Sequence, residues 1–231
     1  MNFKHLYWDK HYSITSQEVF IIAIENSLTL WSYCTSLVAQ SNGEVGFFSI
    51  NKKMTELSFD KMCNVETNVP GISLNTKKIQ TALIKKCVEF SARPEFDESL
   101  RNVSEILSNF CKGICQDIGY PIALEDDFDV AGVFKLFSIT LRENYDSLLE
   151  KLIEYVNINI EFSKTKVFIF LFLSKFLEAK EMEMFFEHCR FLDVSIILLE
   201  DIIPVYFAEN NIPSQEIIID KDNFIIEKNV K

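Results

Sequence analysis

The sequence has few of the residues that nucleotide-binding loops and tight turns require. Glycine occurs 6 times and proline 5 times in 231 residues, and neither a G-x-x-x-x-G-K-[ST] nor a G-x-G-x-x-G pattern is present. Without such a loop the backbone cannot approach phosphate groups closely, so nucleotide hydrolysis is not expected. The low glycine and proline content instead favours long regular elements with few tight turns.

Motifs for other catalytic or metal-binding chemistries are also missing. The sequence contains no G-x-S-x-G nucleophile elbow and no C-x-x-C pair, and its three histidines are His5, His11 and His188. The six cysteines therefore indicate buried free thiols in a reducing compartment better than they indicate zinc ligands. Nothing in this pattern predicts an enzyme.

Long hydrophobic runs are absent as well. The longest run covers residues 167–173, only seven residues, whereas a membrane-spanning helix needs about 20. The first twelve residues, MNFKHLYWDKHY, contain no apolar signal core. We therefore expect a cytoplasmic protein that is neither membrane-spanning nor secreted by this route.

The hydrophobic pattern divides the chain into three regions. Near-continuous apolar runs alternate with amphipathic segments in residues 1–74 and 161–231, which is typical of buried parallel strands connected by helices. Residues 75–160 carry apolar residues at helical spacing instead. We predict an α/β head with a mostly parallel sheet, from the first and third regions, and an inserted, extended α-helical arm from the second.

The segment VFIIAIENSLTLWSY, residues 19–33, has the strand–loop–helix order of a phosphate-binding unit. The pattern predicts a strand over 19–24 and a helix over 28–38, with Ser27 as the N-cap. Glu25 places a negative charge where a phosphate group would lie. The sheet is therefore expected to serve as a scaffold and not as a nucleotide site.

The net charge of −11 and the pI of about 4.8 argue against nucleic-acid binding by the chain as a whole. Between residues 50 and 93, however, eight basic residues exceed four acidic ones, so this segment carries a charge of +4. One interpretation is an ordinary solvated surface, and the other is a strip that follows a phosphate backbone without reading bases. The candidate DNA-binding residues are Lys52, Lys53, Lys77, Lys78, Lys85 and Lys86.

An acidic cluster lies further along the chain. Four carboxylates occur within five residues, at Glu125, Asp126, Asp127 and Asp129. A group of oxygen ligands without sulfur or nitrogen suits calcium or magnesium, although the spacing is not that of an EF-hand. The alternative is an exposed acidic loop without a bound metal.

Several stretches in a fixed order resemble one protein family. They are VFIIAIENSLTLWSYC, FFSINKKM, ALEDDFDVAGVFKLF, KVFIFLFLSKFLEAKEMEMFFEHCRFLDVSIILLED and EIIIDKDNFII. Their order and spacing are similar to those of the CRISPR-associated accessory protein of type II-A systems. Members of that family form tetrameric rings that bind ends of double-stranded DNA and serve spacer acquisition.

The resemblance implies an α/β head like a nucleotide-binding core that lacks its phosphate loop, together with an extended α-helical arm. It also implies a non-catalytic homotetramer that holds double-stranded DNA in a positive lumen. It also implies structural calcium, with Glu125 and Asp127 as the best-matched ligands and Asp126 and Asp129 as further candidates. Lys52 and Lys53 match a basic pair near the family's DNA-facing surface, whereas the four later lysines rest on the charge pattern alone. The implied partners are the integrase proteins and the effector nuclease of the same system.

Two alternatives remain open at this point. The heavy negative charge is compatible with an oligomeric scaffold of the same fold that does not hold DNA. The strand–loop–helix opening is compatible with a degenerate nucleotide hydrolase, although no turnover is expected.

Overall fold

The structure is a computed structural model that describes residues 1–53, 55–118, 120–123, 128–209 and 212–228. The chain forms two compact units, Met1–Leu74 with Glu143–Lys231 and, separately, Asn75–Arg142. The strands are β1 (Asn2–His5), β2 (Tyr12–Ser13), β3 (Val19–Ile24), β4 (Phe48–Lys52), β5 (Thr55–Leu57), β6 (Cys63–Glu66), β7 (Val167–Leu171), β8 (Ser195–Glu200), β9 (Ser214–Ile219) and β10 (Ile225–Lys228). The α-helices are α1 (Ser27–Ser41), α2 (Phe59–Met62), α3 (Lys77–Ser91), α4 (Asp97–Asp117), α5 (Val130–Leu136), α6 (Leu148–Ser163), α7 (Ala179–Phe191) and α8 (Tyr206–Glu209).

A six-stranded sheet forms the centre of the first unit, in the order β10-β9-β3-β8-β7-β6. All neighbours pair in parallel except β10, which runs antiparallel to β9. Every residue of β3, β7 and β8 is buried, as expected for strands covered on both faces by helices. The prediction of an α/β head with a mostly parallel sheet is therefore confirmed.

A second, four-stranded antiparallel sheet packs against this core, in the order β2-β1-β4-β5. The rings of Phe3 on β1 and Phe20 on β3 meet edge to face, with 6.3 Å between their centroids, and connect the two sheets. The sequence pattern did not predict this sheet, because β1 and β2 are too short to show a periodicity. It also missed β6, whose sequence CNVE is only partly apolar.

Helices α3, α4 and α5 make up the second unit. This unit ends at Arg142, whereas the sequence pattern placed residues up to 160 in the helical arm. Helix α6 belongs to the first unit because its apolar face, including Leu152 and Val156, is fully buried there. Periodicity alone could not make this distinction, since α6 has the same apolar spacing as the helices of the second unit.

No helix among the residues that the structure describes combines the length and the apolar character needed to cross a membrane.

Candidate nucleic-acid interface

In the strand–loop–helix segment, the side chain of Asn26 occupies backbone amides of the kind with which a nucleotide-binding protein would hold phosphate. The Asn26 side-chain oxygen accepts hydrogen bonds from the backbone amides of Leu28 and Thr29, at 3.1 and 3.2 Å. The Asn26 amide nitrogen donates to the carbonyl oxygen of Lys221 at 2.9 Å. Asn26, not Ser27, is thus the N-cap of α1. The prediction of Ser27 was wrong because the helix begins one residue earlier than the pattern indicated.

The last residue of β8, Glu200, has a buried carboxylate that accepts hydrogen bonds from the loop after β7. Glu200 is 0% exposed and accepts hydrogen bonds from the backbone amide and the hydroxyl of Ser174, at 3.0 and 2.6 Å. Burial raises the pKa of Glu200, and the two bonds from Ser174 oppose this effect. Beside it, Lys175 forms a 2.8 Å ion pair with Asp201. These contacts tie the loop after β7 to the end of β8.

Lys52 and Lys53 lie where β4 ends and turns towards β5. Lys52 pairs with Thr55 across the antiparallel ladder, and Lys53 has a positive φ of 49° in the turn. Both side chains are exposed. The turn therefore presents two adjacent ammonium groups to solvent, in a geometry that can contact phosphate oxygens.

The other four lysines lie on α3. The hydroxyl of Thr76 accepts a hydrogen bond from the Ile79 amide at 3.3 Å and caps this helix. Lys85 forms a 3.9 Å pair with Glu89, and both side chains are largely exposed, so the pair contributes little stability. The remaining lysines of this set are Lys77 and Lys78, which are exposed, and Lys86, which is half-buried.

The six candidate lysines thus form two separate sets. Lys52 and Lys53 belong to the first compact unit, whereas the α3 lysines belong to the second. Within α3, successive positions differ by about 100° around the axis, which places Lys77, Lys78 and Lys85 away from buried Ile79. Lys86 follows Ile79 by seven residues, so it lies on the same side of the helix as Ile79 and is half-buried. Each set is a local basic surface that electrostatics alone can direct to a polyanion.

The predicted cation ligands Glu125, Asp126 and Asp127 lie outside the described residues. Asp129 is exposed and occupies the N-cap position of α5, where its side chain makes no capping hydrogen bond. Within the described ranges no group of three or more His, Cys, Asp or Glu side chains could hold a metal ion. The metal assignment therefore stays a prediction.

Helix α4 carries an apolar stripe along one side, at the helical spacing that the sequence shows for residues 75–160. None of its residues is buried in the single chain, and Ile106 and Phe110 are 67% and 63% exposed. The other members of the stripe are Val103, Leu107 and Ile114. The 3–4 spacing indicates an apolar helix face but cannot tell which partner covers it.

Comparisons with known proteins agree with this architecture. The sequence profile of the family described as CRISPR-associated protein (Cas_Csn2) matches residues 40–223. No curated protein sequence matches the chain. The crystal structure of Stu0660 of Streptococcus thermophilus has a similar fold, with a TM-score of 0.61 and 10% sequence identity, over 98% of this chain and 76% of that one.

The family match covers most of the described head and the helical unit. It includes β4 with Lys52 and Lys53, all of α3, and the sheet strands from β6 to β9. The structural likeness independently supports the fold, because it extends over nearly the whole chain. This chain belongs to the CRISPR-associated Csn2 family.

Proposed function

We propose that this protein is a non-catalytic, ring-forming protein that binds ends of double-stranded DNA, without sequence preference, during the acquisition of new CRISPR spacers. The observation that carries the proposal is membership of the CRISPR-associated family over residues 40–223. The work of such a protein is binding and positioning, in the cytoplasm, beside the integrase proteins and the effector nuclease of its system.

The exposed lysines supply the contacts that this function needs. Phosphate contacts determine affinity and position but carry no sequence information. A chain of net charge −11 can still bind DNA if its basic residues line an enclosed surface. There, low-dielectric walls focus the field of a few lysines from several subunits. Lys52 and Lys53 are the first candidates, and the α3 lysines are a second set in the other compact unit.

The apolar stripe of α4 supports self-association into a homotetramer. Five apolar side chains at positions 103, 106, 107, 110 and 114 repeat at helical spacing and are exposed in the single chain. Contiguous exposed apolar surface of this kind marks protein–protein contacts. Contact with the same helix of a second copy would bury the stripe and leave the lysines available to DNA.

Structural calcium completes the proposal. Glu125, Asp126, Asp127 and Asp129 provide only carboxylate oxygens, which are the ligands that calcium prefers. Bound cations would offset the mutual repulsion of these carboxylates and stabilise the arrangement that assembles into the ring.

A plasmid tested in two topological forms distinguishes a ring from an open DNA-binding surface. We expect the protein to bind the linearised plasmid at low salt with calcium and to leave the covalently closed circle unbound, because a closed ring can load only at an end. Cutting the same circle with a restriction enzyme should restore binding, which controls for sequence and length. Equal binding to both forms, or binding to neither, would contradict the proposal.

The net charge of −11 favours one second candidate, an oligomeric scaffold of the same fold that does not hold DNA. That protein would still self-associate, but linear duplex would cause no salt-sensitive shift in mobility. Reversing the charge of Lys52 and Lys53 would then leave every binding activity unchanged.

A further inference from the structure

A second candidate site lies in the first compact unit, and none of the six lysines contributes to its lining. It is a cavity of about 400 Å³ at the carboxyl ends of β3 and β9. Thr29, in the first turn of the helix α1 that follows β3, and Ile219, the last residue of β9, contribute to its lining. Open α/β sheets bind their ligands outside the carboxyl ends of the strands. The volume lies within the range of roughly 300–1,000 Å³ that is usual for small-molecule sites.

His5 carries an unused hydrogen-bond donor beside this cavity. The residue lines the cavity, is 1% exposed and stacks on Tyr33 with 4.0 Å between the ring centroids. The backbone amide of Tyr7 donates to His5 Nδ1 at 3.4 Å, so the neutral ring carries its proton on Nε2. Nε2 is buried and has no hydrogen-bond partner among the residues that the structure describes. A buried donor in this state is costly until an acceptor is bound.

The cavity lining is uncharged. Burial lowers the pKa of His5 to about 4, so the imidazole is neutral near pH 7. Burial also raises the pKa of Tyr33 to about 12, so its hydroxyl stays protonated. Apart from His5, the residues that the structure describes place no basic or acidic side chain in the lining. A phosphate or carboxylate would therefore lose its hydration without gaining a counter-charge.

Aromatic rings and small polar groups complete the lining. Tyr7 lines the cavity although it is 72% exposed, and buried Trp8 donates from Nε1 to the Tyr33 hydroxyl at 3.0 Å. Such rings offer apolar faces and edges to another flat ring. Ser32 and Asn223 add a hydroxyl and an amide to the lining. Few polar groups among aromatic walls are typical of sites that orient one planar molecule.

We propose that this cavity binds an uncharged, planar heteroaromatic ring of the nucleobase or nucleoside class. The ring packs against the aromatic side chains, and one of its acceptor atoms receives the hydrogen bond from His5 Nε2. A free nucleoside and an unpaired base at the end of a DNA strand present the same chemistry to this site. The inference rests on the cavity alone and does not require the lysines to bind DNA.

Tryptophan fluorescence provides the measurement. Trp31 is 68% exposed and does not line the cavity, so Trp31→Phe leaves Trp8 as the sole reporter in the chain. Adenosine and cytidine are titrated into this full-length variant in one arm. The other arm compares a blunt duplex with the same duplex carrying one unpaired 3′ nucleotide. We expect saturable quenching by a nucleoside, by the overhanging duplex, or by both, beyond any effect of the blunt duplex.

Two substitutions connect the response to the cavity. Ser32 lines the cavity from α1, so the larger side chain of Ser32→Phe fills the space and should weaken binding by about tenfold or more. Thr35→Phe, one turn further along α1 at an exposed position, is the control and should leave binding unchanged. His5→Phe keeps the ring but removes the donor, and should weaken binding by about tenfold. Response to the overhang alone assigns the site to a strand-end base, and response to nucleosides assigns it to a free ligand. No saturable response, or a response that Ser32→Phe leaves intact, would overturn the proposal.

Discussion

The side-chain oxygen of Asn26 lies 3.2 Å from the backbone nitrogen of Thr29 and accepts its hydrogen bond. The same oxygen accepts a bond from the amide of Leu28. Amides at the start of a helix are the groups with which nucleotide-binding folds hold phosphate. In this protein the amides of Leu28 and Thr29 donate to Asn26, a neighbour in the chain, and so are not available to phosphate.

The cap of α1 leads to a prediction about stability. Asn26→Ala should lower the free energy of unfolding by about 1 kcal/mol, because the first turn of α1 loses its acceptor. Urea denaturation followed by circular dichroism measures the change. Asn26→Asp retains an acceptor oxygen and should stay close to the wild type. Equal stability of Asn26→Ala and the wild type would show that the cap contributes nothing.

The basic pair after β4 should contribute to DNA affinity. Lys52→Glu combined with Lys53→Glu should weaken binding to linear duplex. It should also reduce the slope of log K against log salt concentration by about one for each lysine removed per subunit, because fewer counterions are released. Fluorescence anisotropy at a series of salt concentrations measures both. Lys180→Glu with Lys221→Glu is the matched control, since it makes the same charge change at exposed positions elsewhere in the first unit. If both double variants lose the same DNA affinity, the effect comes from net charge only and not from the position of Lys52 and Lys53.

The α3 lysines form a separate test, because they lie in the other compact unit. Reversing Lys77, Lys78, Lys85 and Lys86 together should weaken duplex binding and reduce the salt slope, without changing the helical content measured by circular dichroism. The thermal midpoint should change little, because three of the four lysines are exposed and surface pairs contribute little. Unchanged affinity would assign these residues to an ordinary solvated surface and leave Lys52 and Lys53 as the binding pair.

The buried carboxylate of Glu200 predicts a pH dependence of stability. Its pKa is raised by burial, so from about pH 4 upwards the unfolded chain loses this proton before the folded chain does. The contribution of Glu200 to stability therefore falls as pH rises above its ordinary pKa. Glu200→Gln removes this effect, so the stability of the variant relative to the wild type should be higher at pH 7.5 than at pH 4.5 in urea denaturation. A difference that is the same at both pH values would contradict the assignment.

The large elements of the fold could be predicted because their sequences are extreme. Strands β3, β7 and β8 are continuous apolar runs, and each is buried along its whole length. The small antiparallel sheet could not be predicted, since β1 contributes only Phe3 and His5 to the interior. Local pattern was also insufficient for α4, whose apolar face has the spacing of a core helix although it is exposed in the chain.

The candidate sites also differ in how far the sequence could predict them. The lysines could be found from the sequence because charge is visible residue by residue, and adjacent positions on α3 stay adjacent in space. The cavity at His5 could not be found, because its lining comes from three segments around residues 5–8, 28–33 and 219–225. Only the pairing of β3 with β9 and the packing of β1 against the core bring these segments together.

The mass of the assembled particle tests the central claim most directly. Light scattering after size exclusion should give a mass near four chains with calcium, a smaller species after chelation, and co-elution of a short linear duplex with the tetramer. Glu125→Gln with Asp127→Asn should reproduce the effect of chelation without a chelator, because both carboxylates are removed from the acidic cluster. A monomer or dimer whose mass changes with neither calcium nor duplex would contradict the ring and leave the scaffold as the better account.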